Sequence, residues 1–515
     1  MFAIAGCGRP RPRWLVLIVA ALPAAVAPPA WALRWEVVPT LGVNTVYTDN
    51  VALAPAALKR DDLVTTVAPG LSVNVIGGRM RIAGNIGLQA LHRAETGATT
   101  FTPQLSLNTV GSAELVPQLL YFESRNDIGQ QNVSLLGAQA DSNVNATGNR
   151  ATVQKYVASP YLRRNFGSDA QGELRLTSSS VSSNAAASTD SVANVIDARI
   201  KSGPAFRLTT WDLAYSLSQT AYSSGIAIRD QTSEKISARG RRLITPVVGL
   251  IVDVGYEDHS FVTNGRPPRG ASWSTGFDWT PTPRTRLAAT AGKRYYGSSY
   301  SFELSHRTRL TTWSAGYSEE ITNTHAQAVA PTSVGTASYL DGLFRASEPD
   351  PIARQQAVQN FITQNALPEN LVVPVNFLTS RNFLNKRWQG SFAINGVRNT
   401  LVANGFSQVR EAQDAGGVAG DFATSGTIRQ TGGTLLWNWR IATQTTSNMT
   451  LGFTRNEFTG TSRTDDTSYL TVALTRQFQP KLSGSVSFRS RHTESNVAGA
   501  GYSENAVSAG LNMRF

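Results

Sequence analysis

Residues 504–515 read ENAVSAGLNMRF, and their side chains alternate strictly between apolar and polar. Val507, Ala509, Leu511, Met513 and Phe515 share one face of an extended strand, because successive side chains of a strand point to opposite sides. Such a strand can contact lipid on one face and water on the other. A strand of a soluble sandwich can show the same alternation, so the remainder of the chain has to decide between the two.

The composition favours one large repetitive architecture over several soluble domains. Charged residues make up only 16% of the chain, and no Pro/Ser-rich linker or long block of helical periodicity marks a second domain. A barrel with polar residues in its lumen and apolar residues toward lipid has this moderately polar composition. The sequence therefore predicts an all-β transmembrane barrel with antiparallel up-and-down strands.

The amino-terminal segment indicates export. Three arginines precede an apolar run at residues 14–25, and residues 30–32 (AWA) have the small-x-small form of a cleavage site. Residues 1–32 are therefore interpreted as a cleaved signal peptide, and residues 33–515 as the barrel. The single cysteine, Cys7, belongs to the segment that is removed. Localisation in a bacterial outer membrane is expected.

The connections between strands alternate between short and long, as in bacterial barrels with short periplasmic turns and longer outer loops. Examples of short connections are residues 281–284 and 396–397, and examples of long ones, assigned to the outer side, are residues 124–151, 258–270 and 493–503. This alternation predicts about 22 strands, with 18 to 22 left open, and periplasmic amino and carboxyl termini. The least secure placements are a hairpin near residues 309–311 and a strand near residues 192–201.

One outer connection, residues 321–380, is much longer than the others, and such loops are usually functional or mobile. Within it, Asp350 and Pro351 have the form of a helix start, and Val358, Phe361 and Ile362 follow on one helical face. The sequence predicts an insertion with a short helix. It could plug the barrel, lie across the mouth as a lid, or extend over the surface.

The lumen is predicted to be basic. The apolar positions Leu435, Trp437 and Leu451 are assigned to lipid, so the opposite parity points inward. The inward-pointing arginines on this assignment are Arg175, Arg286, Arg294, Arg440, Arg489, Arg491 and Arg514. The formal charge of +12, or +9 without the three signal-peptide arginines, agrees with this. Basic pore linings select anions, but the same arginines could instead pair with lumenal carboxylates for structural reasons.

Catalytic and cofactor sites are not expected. The five histidines are scattered without metal-ligand spacing, and no nucleophile motif stands in its required context. No catalytic, cofactor-binding or metal residue is therefore assigned, and nucleic acid is disfavoured as a partner because the chain is exported. The terminal Phe515 is expected to be the signal that the outer-membrane assembly machinery recognises, with outer-membrane lipid as the surrounding partner.

Three segments carry a resemblance to a known family. Residues 45–53 (TVYTDNVAL), 62–73 (DLVTTVAPGLSV) and 378–401 (LTSRNFLNKRWQGSFAINGVRNTL) resemble an outer-membrane barrel family associated with the PEP-CTERM/exosortase system and its exopolysaccharide gene clusters. The resemblance implies a role in export of exopolysaccharide or in surface anchoring, with acidic polysaccharide or export components as partners. It carries over no functional residues.

Alternative functions remain open at this point. A general or anion-preferring diffusion porin is the main alternative, and an outer-membrane enzyme is a weaker one. A porin is expected to carry its constriction loop early in the barrel, whereas the long insertion lies late in this chain. A TonB-coupled transporter needs a folded plug domain before the barrel, for which residues 33–47 leave no room.

Overall fold

The computed structural model describes residues 33–95, 99–185, 190–223, 230–261, 263, 267–329, 354, 381–413, 421 and 425–515. The predicted signal peptide and the predicted helix that begins at Asp350 lie outside the described residues. So does most of the long insertion.

The described chain forms one closed antiparallel sheet of 22 strands. The strands are β1 (Arg34–Thr48), β2 (Asp62–Ile76), β3 (Met80–Arg93), β4 (Thr99–Val116), β5 (Leu120–Asn132), β6 (Arg150–Phe166), β7 (Ala170–Ser183), β8 (Ser191–Ser202), β9 (Thr209–Tyr222), β10 (Gln231–Thr245), β11 (Val248–His259), β12 (Arg269–Thr282), β13 (Thr285–Arg294), β14 (Gly297–Arg307), β15 (Thr311–Asn323), β16 (Asn382–Asn395), β17 (Asn399–Ala412), β18 (Thr427–Ala442), β19 (Thr445–Phe458), β20 (Arg463–Gln479), β21 (Leu482–Ser495) and β22 (Tyr502–Arg514).

Closure comes from pairing of the first and last strands. β1 and β22 are antiparallel neighbours in a register that runs from Thr40 opposite Arg514 to Thr48 opposite Ala506. Every other strand pairs with the strands before and after it in sequence, so no sheet edge is left open. This is the architecture of an outer-membrane β-barrel, in which every backbone group of the wall is satisfied within the sheet.

The predicted strand number is confirmed, and both termini lie at the same end of the barrel. The hairpin near residues 309–311 joins β14 to β15, and the strand near residues 192–201 is β8. Both ends of the described barrel chain, Arg34 and Phe515, lie at the end that carries the short connections, here called the turn end. The opposite end, here called the loop end, carries the longer connections, apart from the two-residue turn at residues 295–296. In bacterial barrels the turn end faces the periplasm.

The long insertion differs from its predicted bounds. β15 continues to Asn323 and β16 begins at Asn382. The first described residues after β15 form helix α1 (Thr324–Val329). In the part of the chain that the structure describes, no helix is both long and apolar enough to span a membrane.

Side-chain exposure follows the period-two pattern of the sequence. In β20, Val472 is 37% exposed on the outer face, whereas its neighbour Ala473 is 2% exposed on the lumenal face. Trp437 and Trp439 stack on the outer face of β18 near the turn end, with ring centroids 5.7 Å apart. Trp279 is also exposed on the outer face near this end, and together these rings form part of an aromatic girdle.

A pair of substitutions on β20 tests the two faces. Val472→Arg is expected to destabilise the barrel by about 2–4 kcal/mol near the bilayer midplane, because a cation is then forced into hydrocarbon. Thr471→Arg, one residue away on the lumenal face, is expected to cost much less because the lumen is wet. Urea unfolding in lipid vesicles measures both changes, and similar losses for the two variants would contradict the face assignment.

A candidate constriction in the barrel lumen

The connection between β5 and β6 turns into the barrel. These residues, 133–149, are here called the inward loop. Leu135 is 2% exposed and packs in one cluster with Phe383, Ile428 and Phe458, which lie on β16, β18 and β19. β16 lies half-way round the barrel from β5. Leu135 follows the end of β5 by three residues, which reach at most about 10 Å, so the inward loop and the opposite wall approach each other inside the lumen.

The side chains that contact Leu135 are apolar and face the lumen at the loop end. Ile428 and Phe458 are register partners on β18 and β19, so their side chains point to the same face. The next residue, Arg429, is exposed on the outer face, which fixes the inner face for Ile428. An apolar patch inside a solvated lumen favours an apolar cover, and Leu135 supplies it.

Polar contacts hold the same part of the inward loop. The Leu135 backbone N–H donates to Oδ2 of Asp421 at 2.6 Å, and Ser134 Oγ donates to the other oxygen of that carboxylate. Arg463 Nη2 donates to the Leu136 carbonyl at 3.0 Å. Burial raises the pKa of the Asp421 carboxyl, in spite of these hydrogen bonds. The first half of the loop is thereby fixed to the far wall.

The second half is held by ions on β21 and β22. Asp141 forms an ion pair with Arg491, whose Nε donates to Oδ2 at 3.1 Å. Asn145 Nδ2 donates to Glu504 Oε1 at 2.6 Å. Glu504 is 1% exposed and also accepts from Arg489 at 2.9 Å. Glu504 is thus the common acceptor for the loop and the wall.

The Asp141 anchor persists over ordinary pH. Burial raises the pKa of Asp141, but the guanidinium groups of Arg491 and Arg489 lower it by a larger amount. The net pKa therefore lies below its usual range. A carboxyl with a lowered pKa contributes stability above its unfolded pKa and loses it only as the pH falls through the folded pKa. Asp141 therefore anchors the loop at neutral and mildly acidic pH.

The loop also carries its own internal clamp. Asn149 Oδ1 accepts from the Ser134 backbone N–H at 3.0 Å, and Asn149 Nδ2 donates to the Ser134 carbonyl at 2.8 Å. Asn143 Nδ2 donates to Gln89 Oε1 at 2.6 Å on β3. With its base, middle and tip all bonded, the inward loop is a fixed feature of the lumen.

Helix α1 is a second element on the lumenal side. His325 bridges two serines of neighbouring strands, with Nε2 2.9 Å from Ser179 Oγ and Nδ1 2.7 Å from Ser191 Oγ. Burial lowers the pKa of His325 to about 4, so the ring is neutral at neutral pH. The long insertion therefore starts by packing against the inner wall at β7 and β8.

The seven arginines assigned to the lumen all lie at lumen-facing positions of their strands. Four of them form ion pairs. Arg175 contacts Glu123 at 2.8 Å, and Arg294 contacts Glu257 at 2.7 Å. Arg489 and Arg491 are the anchors described above. These four hold the wall and the inward loop together, which is the structural role that the sequence left open.

The other three, Arg286, Arg440 and Arg514, lie close to the turn end. Arg440 stands between the outward-facing Trp439 and Ile441. Within the described residues, no carboxylate lies at ion-pair distance from any of the three. The terminal Phe515 is 54% exposed on the outer face, and its N–H donates to the Pro39 carbonyl at 3.0 Å.

The inward loop overturns one expectation from the sequence. The position of the long insertion argued against a porin-like constriction, yet the structure places a loop inside the lumen early in the barrel, between β5 and β6. The sequence interpretation treated residues 124–151 as an ordinary outer loop, whereas β5 continues to Asn132. The available signal was the pair Leu135 and Leu136 within an otherwise polar, Asn-rich stretch.

In the part of the chain that the structure describes, no group of three or more His, Cys, Asp or Glu residues is arranged to hold a metal ion.

Comparison with known families gives one partial match. Residues 417–515 match a family described as putative beta-barrel porin 2. The match covers the last strands of the barrel, from the connection before β18 to the carboxyl terminus. No curated protein matches the chain.

Solved structures of large barrels are similar in general architecture. The siderophore receptor PirA from Acinetobacter baumannii is 8% identical over 93% of this chain and 80% of that chain, with a TM-score of 0.46. The outer membrane channel DcaP of Acinetobacter baumannii is 9% identical over 94% and 97% of the two chains, with a TM-score of 0.30. A loop L8 deletion mutant of OmpT, an outer membrane protein of Vibrio cholerae, is 6% identical over 94% and 100%, with a TM-score of 0.33. At these values the similarity carries no functional argument.

Proposed function

We propose that the protein is an outer-membrane channel that passes anionic solutes in preference to cations, with the inward loop narrowing its lumen. The observation that carries this proposal is the set Arg286, Arg440 and Arg514, which face the lumen without carboxylate partners in the described chain. Fixed cations in a water-filled path attract anions and repel cations. The predicted signal peptide at residues 1–32 supports delivery to the outer membrane.

Neutralising these three arginines tests the proposal. Arg286→Gln, Arg440→Gln and Arg514→Gln together are expected to lower the anion-to-cation permeability ratio in planar bilayers while leaving the barrel folded, because the lumen is solvated. The matched control is Arg164→Gln, Arg242→Gln and Arg476→Gln, which removes the same charge from exposed outer-face positions at the same end. Selectivity that stays unchanged in the lumenal variant, or falls equally in both, would contradict the proposal.

The narrower proposal concerns the anionic solute. The resemblance to the exopolysaccharide-associated family supports an acidic polysaccharide, exported or anchored at the surface. The lumen offers suitable chemistry for sugars: Tyr121 and Tyr161 stack with centroids 5.1 Å apart, and Arg175 lies 3.9 Å from the Tyr161 ring centre. A clean deletion assayed for surface polysaccharide tests this, and unchanged polysaccharide with reduced uptake of small anions would favour a diffusion porin.

A further inference from the structure

The tips of the turn-end hairpins carry a set of exposed cations. Five of these connections present one each, and the residues are Arg207, Arg284, Arg309, Arg398 and Lys481. They belong to hairpins that run from β8 to β21, which covers more than half of the barrel circumference. None of the five lies within ion-pair distance of a carboxylate in the described chain. We call them the tip cations.

A second set lines the mouth just inside the tips. These lumen-facing residues at the strand ends are Arg34, Lys201, Arg286, Arg307, Arg440 and Arg514. Together with the tip cations they make a basic rim, which has both a periplasm-facing edge and a lumen-facing edge.

Few carboxylates counter the rim. Among the described residues, the acidic side chains at the turn-end tips and strand ends are Glu36, Glu114 and Asp169, and Asp212 is the register partner of the rim residue Lys201. The buried carboxylates Glu257, Asp421 and Glu504 lie toward the loop end. The charge of the protein is therefore unevenly distributed along the barrel axis, with its positive end at the turn-end mouth.

The positions of the rim cations indicate which kind of anionic ligand fits the rim. Headgroups of the surrounding lipid would contact the outer face, but most rim cations sit on the tips or on the lumenal wall. Deeper in the lumen, Arg163 and Arg175 are paired with Glu173 and Glu123, so in the described chain the unpaired cations are concentrated at the rim. A ligand that contacts the tips and the mouth in succession is long, narrow and negatively charged.

We propose that the basic rim is the docking site of a linear polyanion of the acidic-polysaccharide class, which enters the barrel from the turn end. Passage of the bound polymer through the barrel rests on the proposed function. The docking step is tested separately. Exposed charges attract over about one Debye length, roughly 8–10 Å, so a flexible polymer follows successive cations along the rim.

Binding of polygalacturonate to the purified full-length barrel tests the docking site. This probe carries one carboxylate per sugar, and dextran of equal length is the neutral control. The tip variant combines Arg284→Gln, Arg309→Gln, Arg398→Gln and Lys481→Gln. The matched variant removes four exposed cations from the loop-end half of the protein, through Arg60→Gln, Arg269→Gln, Lys293→Gln and Arg429→Gln.

The tip variant is expected to bind polygalacturonate about tenfold more weakly at low salt, as the loss of four exposed ion contacts implies. The matched variant is expected to bind polygalacturonate like the unaltered protein. Dextran is expected to bind to neither of the two variants. Equal weakening in both variants would mean that net charge alone attracts the polymer, and no weakening in the tip variant would exclude the site. Loss of co-purifying phosphatidylglycerol from the tip variant, with polymer binding unchanged, would make the rim a lipid contact and overturn the proposal.

Failure of this inference is distinguishable from failure of the proposed function. Anion selectivity of the channel is measured with small ions on the three-arginine lumenal variant, in which all the tip cations remain. An unselective channel that still binds polygalacturonate through its tips would contradict the channel proposal alone. A selective channel without tip-dependent binding would contradict the docking site alone.

Discussion

Replacing residues 134–148 with a short glycine–serine linker is expected to raise single-channel conductance severalfold. The inward loop lies inside the lumen, and its Leu135 packs in one cluster with Phe383 of the opposite wall. Removing the segment opens the cross-section that the loop occupies, and pore conductance depends on the free cross-section. The wall itself should persist, because β5 and β6 remain paired along their whole length.

The control for this variant shortens another connection at the loop end of the barrel. Residues 496–501 join β21 to β22, and replacing them with the same linker is expected to leave conductance near its original value. Heat-modifiable migration on gels verifies that both variants are folded barrels. Unchanged conductance in the folded inward-loop variant would show that the loop does not set the narrowest part of the path.

The second large effect is expected at Glu504. Glu504→Gln removes the charge that Arg489 contacts at 2.9 Å and weakens the acceptor shared by Thr48 and Asn145. Breaking a buried ion pair by removing one partner costs about 3–5 kcal/mol, because the other charge is left without compensation. The free energy of unfolding, measured by urea titration in lipid vesicles, should fall by a comparable amount.

Two further variants make the Glu504 result specific. Asp466→Asn breaks the exposed pair between Arg455 and Asp466, whose side chains are 48% and 29% exposed, and is expected to cost less than about 1 kcal/mol. The double variant Glu504→Leu with Arg489→Met should recover part of the loss, since no charge is then left unpaired. Equal costs at Glu504 and Asp466 would contradict the view of Glu504 as the anchor of wall and loop.

The strands and their faces could be predicted from the sequence, whereas the inward loop and its anchors could not. The alternation of residues 504–515, the strand number and the face of Val472 could be predicted, because a strand has a period of two and each side chain's face is a local property. The lumenal positions of the seven arginines follow from the same rule. The turn-end location of the termini follows from the alternation of connection lengths.

The constriction could not be predicted in this way. Leu135 meets Phe383, and Asp141 meets Arg491, only after the barrel has closed and brought strands from opposite parts of the chain around one lumen. Contacts of such long sequence separation leave no periodic trace in a single sequence.

The sequence by itself therefore determined the barrel, its direction and which side chains face inward, because these depend on spacing along the chain. Tertiary structure alone decided which loop turns into the lumen, and which arginines are neutralised. Arg489 and Arg440 look equivalent as lumenal arginines in the sequence. The register and the inward loop give Arg489 a carboxylate partner in Glu504, whereas Arg440 lies at the turn-end mouth with no carboxylate partner among the described residues.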